Sequence, residues 1–284
     1  MIVDAEVHLL HPEAVAPDFA PDKNEPMRRI IYEHNDFSSL LNKLDVSYLL
    51  QSMVENKIDY SLIMGMPWRN SAILQANNDY IEECVKKYPS KLRGFFIPDI
   101  SNVKKAVRQV SYIDSSVFPG IKLFPSLQGK YIDDIELRPI FRVLEERNMF
   151  IMIHTDHLYQ CQNGDTAYRL FKMVEENKKL KILAPHLGGL LCFYSLLPKI
   201  SKAIQNVTFI TSVSATMKMV LFAAQIIPDK LVLGTDFPFN HCHDQITPIQ
   251  ILRSLGLPEQ HLNLILGATA CELFGLDGGQ EKNV

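Results

Sequence analysis

The sequence predicts a (β/α)8 TIM barrel with a long loop after strand one and short C-terminal helices, on three observations. Eight apolar, β-rich runs alternate with amphipathic stretches, the pattern of a sheet of parallel strands wrapped by helices. Such a barrel takes about 250 residues, and the chain has 284. Polar side chains also close several runs: Glu6 and His8 in IVDAEVHL, His154 in MFIMIHTD, His186 in LKILAPHLGG and Asp236 in KLVLGTDFPF. The C-terminal ends of separate strands are where a parallel barrel assembles its site. An open doubly wound sheet fits less well, because no G-x-G-x-x-G fingerprint follows any strand.

The predicted strands lie near 2–9, 59–66, 92–98, 119–124, 149–155, 180–185, 207–213 and 230–235. They are apolar on both faces, as strands buried between a barrel interior and a helix layer must be. Strand one runs into an irregular segment, 10–41, rich in His, Pro, Asp and Asn. Structureless stretches of that length are uncommon in compact domains, so a lid over the mouth is expected, with a short helix around 27–34. Amphipathic stretches at 43–57, 72–88, 102–114, 135–148, 165–178, 191–203 and 215–227 supply the crossover helices, and 246–254 follows the last strand. LPEQHLNLILGATACELFGL reads as two short helices, with Pro258 in a helix-starting position. The sequence thus predicts a single domain over 1–276 and a frayed polar tail over 277–284.

Bulk properties exclude several function classes. A formal net charge of -3 with scattered basic residues provides no field for nucleic acid or an anionic bilayer. No apolar run approaches the ~20 residues of a membrane span, and no basic n-region precedes IVDAEVHL. The five cysteines are odd in number and form no C-x-x-C pair, which suits reduced thiols in a cytoplasmic protein. Cys161 and Cys242 fall in loops near the strand ends, yet neither has a base beside it in sequence.

Glu6 and His8 are two apart on one strand, so they project to the same face. A carboxylate and an imidazole so placed suit a divalent ion, although an E-x-H tripeptide alone is ordinarily a solvated strand end. His154 closes the fifth run, across the barrel from the first. His186 precedes two glycines that permit tight turning, before a helix N-terminus able to face an anion. Asp236 by itself reads as a turn former. Arg69 in MPWRN is a candidate clamp for a substrate carboxylate and Trp68 a candidate aromatic wall, against surface and packing readings of equal weight. His11 reads as solvated, and His157, His241 and His243 stay open between substrate, metal and solvent.

Together the first-strand motif, GIKLFP, QGKYIDD, IHTD, PHLGG, GTDFPF and ILGATACELFGL resemble the amidohydrolase superfamily, in its amidohydrolase family 2 branch of metal-dependent hydrolases and decarboxylases. The resemblance implies one divalent metal ion, Zn or Mn, held by Glu6, His8, His154 and Asp236, with His186 as general acid/base or substrate polariser. Glu6 stands where the commonest pattern has His. A Glu-x-His form occurs in the branch resembling nonoxidative aromatic-acid decarboxylases, and it makes the site harder and more anionic, towards Mn. The expected K-L-H-P reads Lys122-Leu123-Phe124-Pro125, so position 124 supplies no ligand. Lys122 is a substrate-facing or structural ammonium, or a carboxylated bridge in a two-metal variant.

The leading expectation is hydrolysis of a small carbonyl-containing substrate, carboxylated or a lactone. A metal-bound water with its pKa lowered towards ~7 would be the nucleophile, and Asp236 would take its proton. The alternative is nonoxidative decarboxylation of an aromatic or related carboxylic acid on the same ligands. The expected partner is a small molecule, not nucleic acid or membrane, and apolar loops are compatible with a homodimer.

Overall fold

In the computed structural model, the described residues are 1–15, 23–28, 31, 40–155, 164, 166–212 and 217–276. Eight strands pair in sequence order, all parallel: β1 (Val3–His8), β2 (Tyr60–Met64), β3 (Leu92–Phe96), β4 (Gly120–Leu123), β5 (Phe150–Ile153), β6 (Lys181–Ala184), β7 (Val207–Ile210) and β8 (Leu231–Val232). The seam between first and last strands is closed by the residues after β8. Ala5 N donates to Leu233 O (2.8 Å), Asp236 N to Glu6 O (3.0 Å) and His8 N to Phe237 O (2.8 Å). The eight-fold alternation read from the sequence is therefore the (β/α)8 barrel.

The helices are α1 (Val46–Asn56), α2 (Ser71–Lys87), α3 (Val103–Tyr112), α4 (Arg138–Glu146), α5 (Ala167–Glu176), α6 (Pro198–Ala203), α7 (Met217–Ile226), α8 (Ile246–Ser254), α9 (Glu259–Asn263) and α10 (Thr269–Phe274). Asp45, Asn70, Asn102 and Thr166 cap α1, α2, α3 and α5, each side-chain oxygen accepting from first-turn N–H groups.

Three apolar clusters stack along the barrel. Outward residues such as Ile63, Ile121 and Ile151 pack against the helix layer. Inward residues Val3, Ala5, Leu62, Phe95, Met152 and Leu183 fill the lower interior. That interior is sealed from below by α10, whose Phe274 ring lies 4.7 Å from Phe150 and edge-on to Phe95. A third cluster, with Leu10, Met27, Leu44, Trp68, Ile97 and Phe124, lies over the mouth and joins the segment after β1 to the loops after β2, β3 and β4.

The structure departs from the sequence reading in two places. The helix expected over 191–203 is split: residues 186–188 have positive φ, and a left-handed turn leads into a 3-10 stretch, Leu191–Leu196, before α6. β8 is shorter than 230–235, because residues 233–237 bond to β1 as the closing seam. The two short C-terminal helices expected from the sequence are present as α9 and α10, joined by one wider turn at Leu264–Ala268. Most of the expected helix at 27–34, and the tail 277–284, lie outside the described residues. Among the described residues no helix is long and apolar enough to cross a membrane.

Candidate metal centre

A β-bulge in β1 sets the site. Asp4 pairs with Ser61 and Val7 with Ile63, so Ala5 and Glu6 together oppose Leu62. The extra residue shifts the strand's phase. Val3 and Ala5 face the apolar interior below it, and Glu6 and His8 face inward above it, while Val7 and Leu9 join the outer core. The E-x-H pair shares a face as expected because both residues lie above the bulge.

His8 Nδ1 is 3.1 Å from the Gly65 carbonyl. A carbonyl only accepts, so Nδ1 carries the proton and Nε2 is left as a ligand atom. That Nε2 is 3.2 Å from Asp236 Oδ1. Asp236 adopts the left-handed region (φ 58°), uncommon for a residue with a Cβ and costly enough to need support. The support is a bracket around Thr235. Asp4 accepts from Thr235 N (2.9 Å) and its hydroxyl (2.6 Å), and Asn240 Nδ2 donates to Thr235 O (2.8 Å). Asp4 faces the helix layer, where Gln245 Nε2 also donates to it (2.7 Å). Burial pushes its carboxyl up to about 6, against these hydrogen bonds.

Glu6 is 1% exposed and engaged at both oxygens. The Lys122 ammonium, fully buried, is 2.5 Å from Oε1, and the Ser212 hydroxyl donates to Oε2. Burial pushes the Glu6 carboxyl up, but the Lys122 charge, with His186 and His8, outweighs burial and holds it well below the usual range. Ser212 also accepts, at its backbone carbonyl, from His186 Nδ1. One residue at the end of β7 thus orients both Glu6 and His186, and leaves His186 Nε2 as an acceptor. Burial lowers the pKa of His186, with Glu6 opposing.

Ligand atoms of Glu6, His8 and Asp236 lie within 4.8 Å of one another. Atoms bound about 2.1 Å from one ion are at most about 4.2 Å apart, so a small inward shift completes the set. An O, N, O donor set suits divalent Zn or Mn. His154 is outside this trio and beside it: its ring is 4.9 Å from His186 and stacks on Phe124 at 5.3 Å.

The remaining expectations divide. Trp68 is buried in the mouth cluster, its Nε1 3.3 Å from Asn77 Oδ1, so it is a wall of the lid packing. The Arg69 side chain is exposed, and its backbone N–H donates to Glu25 (3.0 Å), so the described structure does not aim it at the site. Lys122 faces Glu6, which fits a structural ammonium better than a bridging ligand. His243 locks a turn through the Pro238 carbonyl (2.7 Å), His11 Nδ1 accepts from Glu13 N (3.2 Å), and His241 is exposed. His157 and Cys161 lie outside the described residues, and Cys242 is exposed.

Sequence reasoning missed Ser212, Asp4 and Glu25. Ser212 closes the FITS run as the other polar residues close theirs, and Asp4 is a charge within an apolar strand, so both signals were visible. Glu25 carried none: its carboxylate gathers the N–H groups of Met27, Arg69 and Asn70, which only the fold brings together.

Comparison with known proteins bears on the chemistry. 2-Amino-3-carboxymuconate-6-semialdehyde decarboxylase of Dictyostelium discoideum is 22% identical over 274 residues, spanning 84% of this chain and 75% of that protein. The crystal structure of 5-carboxyvanillate decarboxylase LigW from Sphingomonas paucimobilis superposes with a TM-score of 0.79 at 15% identity, over 97% of this chain and 99% of that one. Dihydroxybenzoic acid decarboxylase from Polaromonas sp. JS666, with bound manganese and 2-nitroresorcinol, gives 0.76 at 18% identity, over 100% and 99%. These findings correct the expectation of hydrolysis: the similar proteins are decarboxylases, which favours the alternative. The ligand types serve either chemistry, so the residues alone did not separate the two. The amidohydrolase model, Amidohydro_2, matches residues 3–276, and the chain belongs to that family of enzymes.

Proposed function

We propose that this enzyme is a metal-dependent nonoxidative decarboxylase of a small aromatic or related carboxylic acid. The observation that carries the reading is the likeness to decarboxylases, one of them with bound manganese. The site fits it: a trio of ligands lies beside a buried ammonium, under a roof that includes Phe124 and Phe239, both in ring contact with His8.

Glu6, His8 and Asp236 would hold the ion, with His154 as a fourth ligand. When bound, a divalent ion supplies charge that holds substrate oxygens and stabilises negative charge developing on the ring. His186 is buried with Nδ1 committed to Ser212, so its Nε2 is an acceptor suited to a ring hydroxyl. As the bond between ring and carboxylate breaks, CO2 leaves and the electron pair stays on the ring carbon, which must take a proton. Asp236, 23% exposed at its side chain, is the site carboxyl able to take a proton from solvent and pass it to that carbon.

The test is turnover on dihydroxybenzoates, 5-carboxyvanillate and the aminocarboxymuconate semialdehyde, alongside lactones and esters. CO2 release that chelation abolishes and Mn2+ restores is expected. Hydrolysis without CO2 release would overturn the reading.

A further inference from the structure

Lys122 carries its charge where a charge is costly. It is 0% exposed on an inward position of β4, with the Glu6 carboxylate 2.5 Å from its Nζ and the Phe124 ring 4.7 Å away. A buried ion is tolerated only when paired, and removing one partner strands the other. Glu6 therefore has two demands on it, because the same carboxylate is in the ligand trio. Its Oε2 contact, the Ser212 hydroxyl, can rotate away with no change of charge. The ammonium at Oε1 cannot shed its repulsion for an arriving cation.

We propose that Lys122 is an internal counter-cation of the metal centre: it stabilises Glu6 in the metal-free chain, competes with the ion for that carboxylate, and leaves the loaded centre with one net positive charge. This rests on the metal-dependent reading above. The charge count follows from the residues present. Glu6 and Asp236 balance a divalent ion, the histidines add nothing when neutral, and the Lys122 charge is left over. A surplus positive charge in a water-poor layer favours a singly charged anion over its neutral analogue. Lys122 is thus a positioning and charge-setting residue, acting through Glu6 and the field rather than by touching substrate.

Lys122→Met removes the charge and keeps most of the volume. With metal-free protein titrated calorimetrically, Mn2+ should bind the variant at least about tenfold more tightly than wild type. The Mn2+-induced rise in Tm should be larger. A hydroxybenzoate should bind the loaded variant at least about tenfold more weakly than it binds loaded wild type, while the neutral hydroxybenzamide is little changed. An unchanged or weaker Mn2+ Kd in the variant overturns the proposal. Wild-type protein that binds no Mn2+ at all would instead sink the metal reading, so the two failures are distinct.

Should Lys122→Met fail to fold without metal, the double variant Glu6→Gln/Lys122→Met keeps the claim exposed. Deleting both charges should restore metal-free folding, with a urea midpoint near wild type, because no buried charge is left unpaired. A double variant that also fails to fold would show that the pair is not coupled, and the counter-cation role falls with it.

Discussion

Replacing Gly234 by alanine tests the site's architecture with a single methyl group. A Cβ built there lies 2.2 Å from Ile210 Cγ2, 3.3 Å from Glu6 Cβ and 3.4 Å from Ser212 Cβ. Carbon atoms rest about 3.5–4.0 Å apart, so the first contact is short by more than 1 Å. Ile210 is fully buried and β-branched, with little rotamer freedom to retreat. The last two strands must therefore part slightly, an overpacking cost of about 1–3 kcal/mol. At about 2 °C per kcal/mol for a chain of this size, Tm should fall by roughly 2–6 °C. The displaced backbone carries Glu6 and Ser212 with it, and disturbing the supports of a ligand typically costs about 10–100-fold in metal affinity. Urea unfolding and Mn2+ titration measure the two effects separately. Gly267→Ala is the control: its Cβ would meet Met1 O at 2.4 Å, at the floor, so it should lower stability and leave Mn2+ affinity alone. If Gly234→Ala destabilises yet binds Mn2+ as wild type does, Glu6 is not a ligand held by this packing. If neither quantity moves, the close approach of the two strands is wrong.

Three further outcomes are expected. Asp236→Asn should abolish turnover while circular dichroism and Tm stay near wild type, since Asn tolerates the left-handed backbone at least as well; equal loss of fold and activity would make Asp236 structural. Glu25→Ala should destabilise by about 1 kcal/mol, leaving the part-buried Arg69 and Asn70 amides without their acceptor, and hydrogen exchange at those two amides should accelerate; unchanged protection refutes the role of Glu25. Burial pushes the Asp133 carboxyl up, but hydrogen bonds from Lys172 and Arg169 and their charges hold it below its usual value. A depressed pKa stabilises above the unfolded value of about 4 and is lost as pH falls through the folded one, so Asp133→Asn should cost about 1 kcal/mol or less at pH 7, after solvent screening, and progressively less as pH falls below about 4. A difference that persists in acid would point to packing instead.

Local pattern carried much of the fold and little of the site's support. The strands were legible because each is a short apolar run, several of them ending in a polar residue, and the helices because amphipathic stretches alternate with those runs. Glu6, His8, His154, His186 and Asp236 were legible as strand ends for the same reason. Their organisation was not, because it is made by pairs far apart in the chain. Lys122 meets Glu6 across 116 positions and Ser212 meets it across 206, which no local pattern records. At PHLGG, two glycines promised a tight turn, and the structure makes it there, with positive φ already at His186. The mouth cluster was hidden because residues such as Met27, Trp68 and Phe124 acquire an apolar partner only when three loops meet.

The bulge in β1 has a consequence for how this barrel can change. Without it, a strand that turns Val3 and Ala5 inward would turn Glu6 and His8 out into the helices. With two residues set against Leu62, the lower barrel and the ligand layer are in separate phase, joined by one irregular step. Substitutions below that step can alter the barrel's floor, and substitutions above it can alter the ligand set, each without forcing the other to repack. A one-residue deletion at Ala5 would erase that independence. It would leave a strand of ordinary period whose chemistry and whose packing compete for the same face.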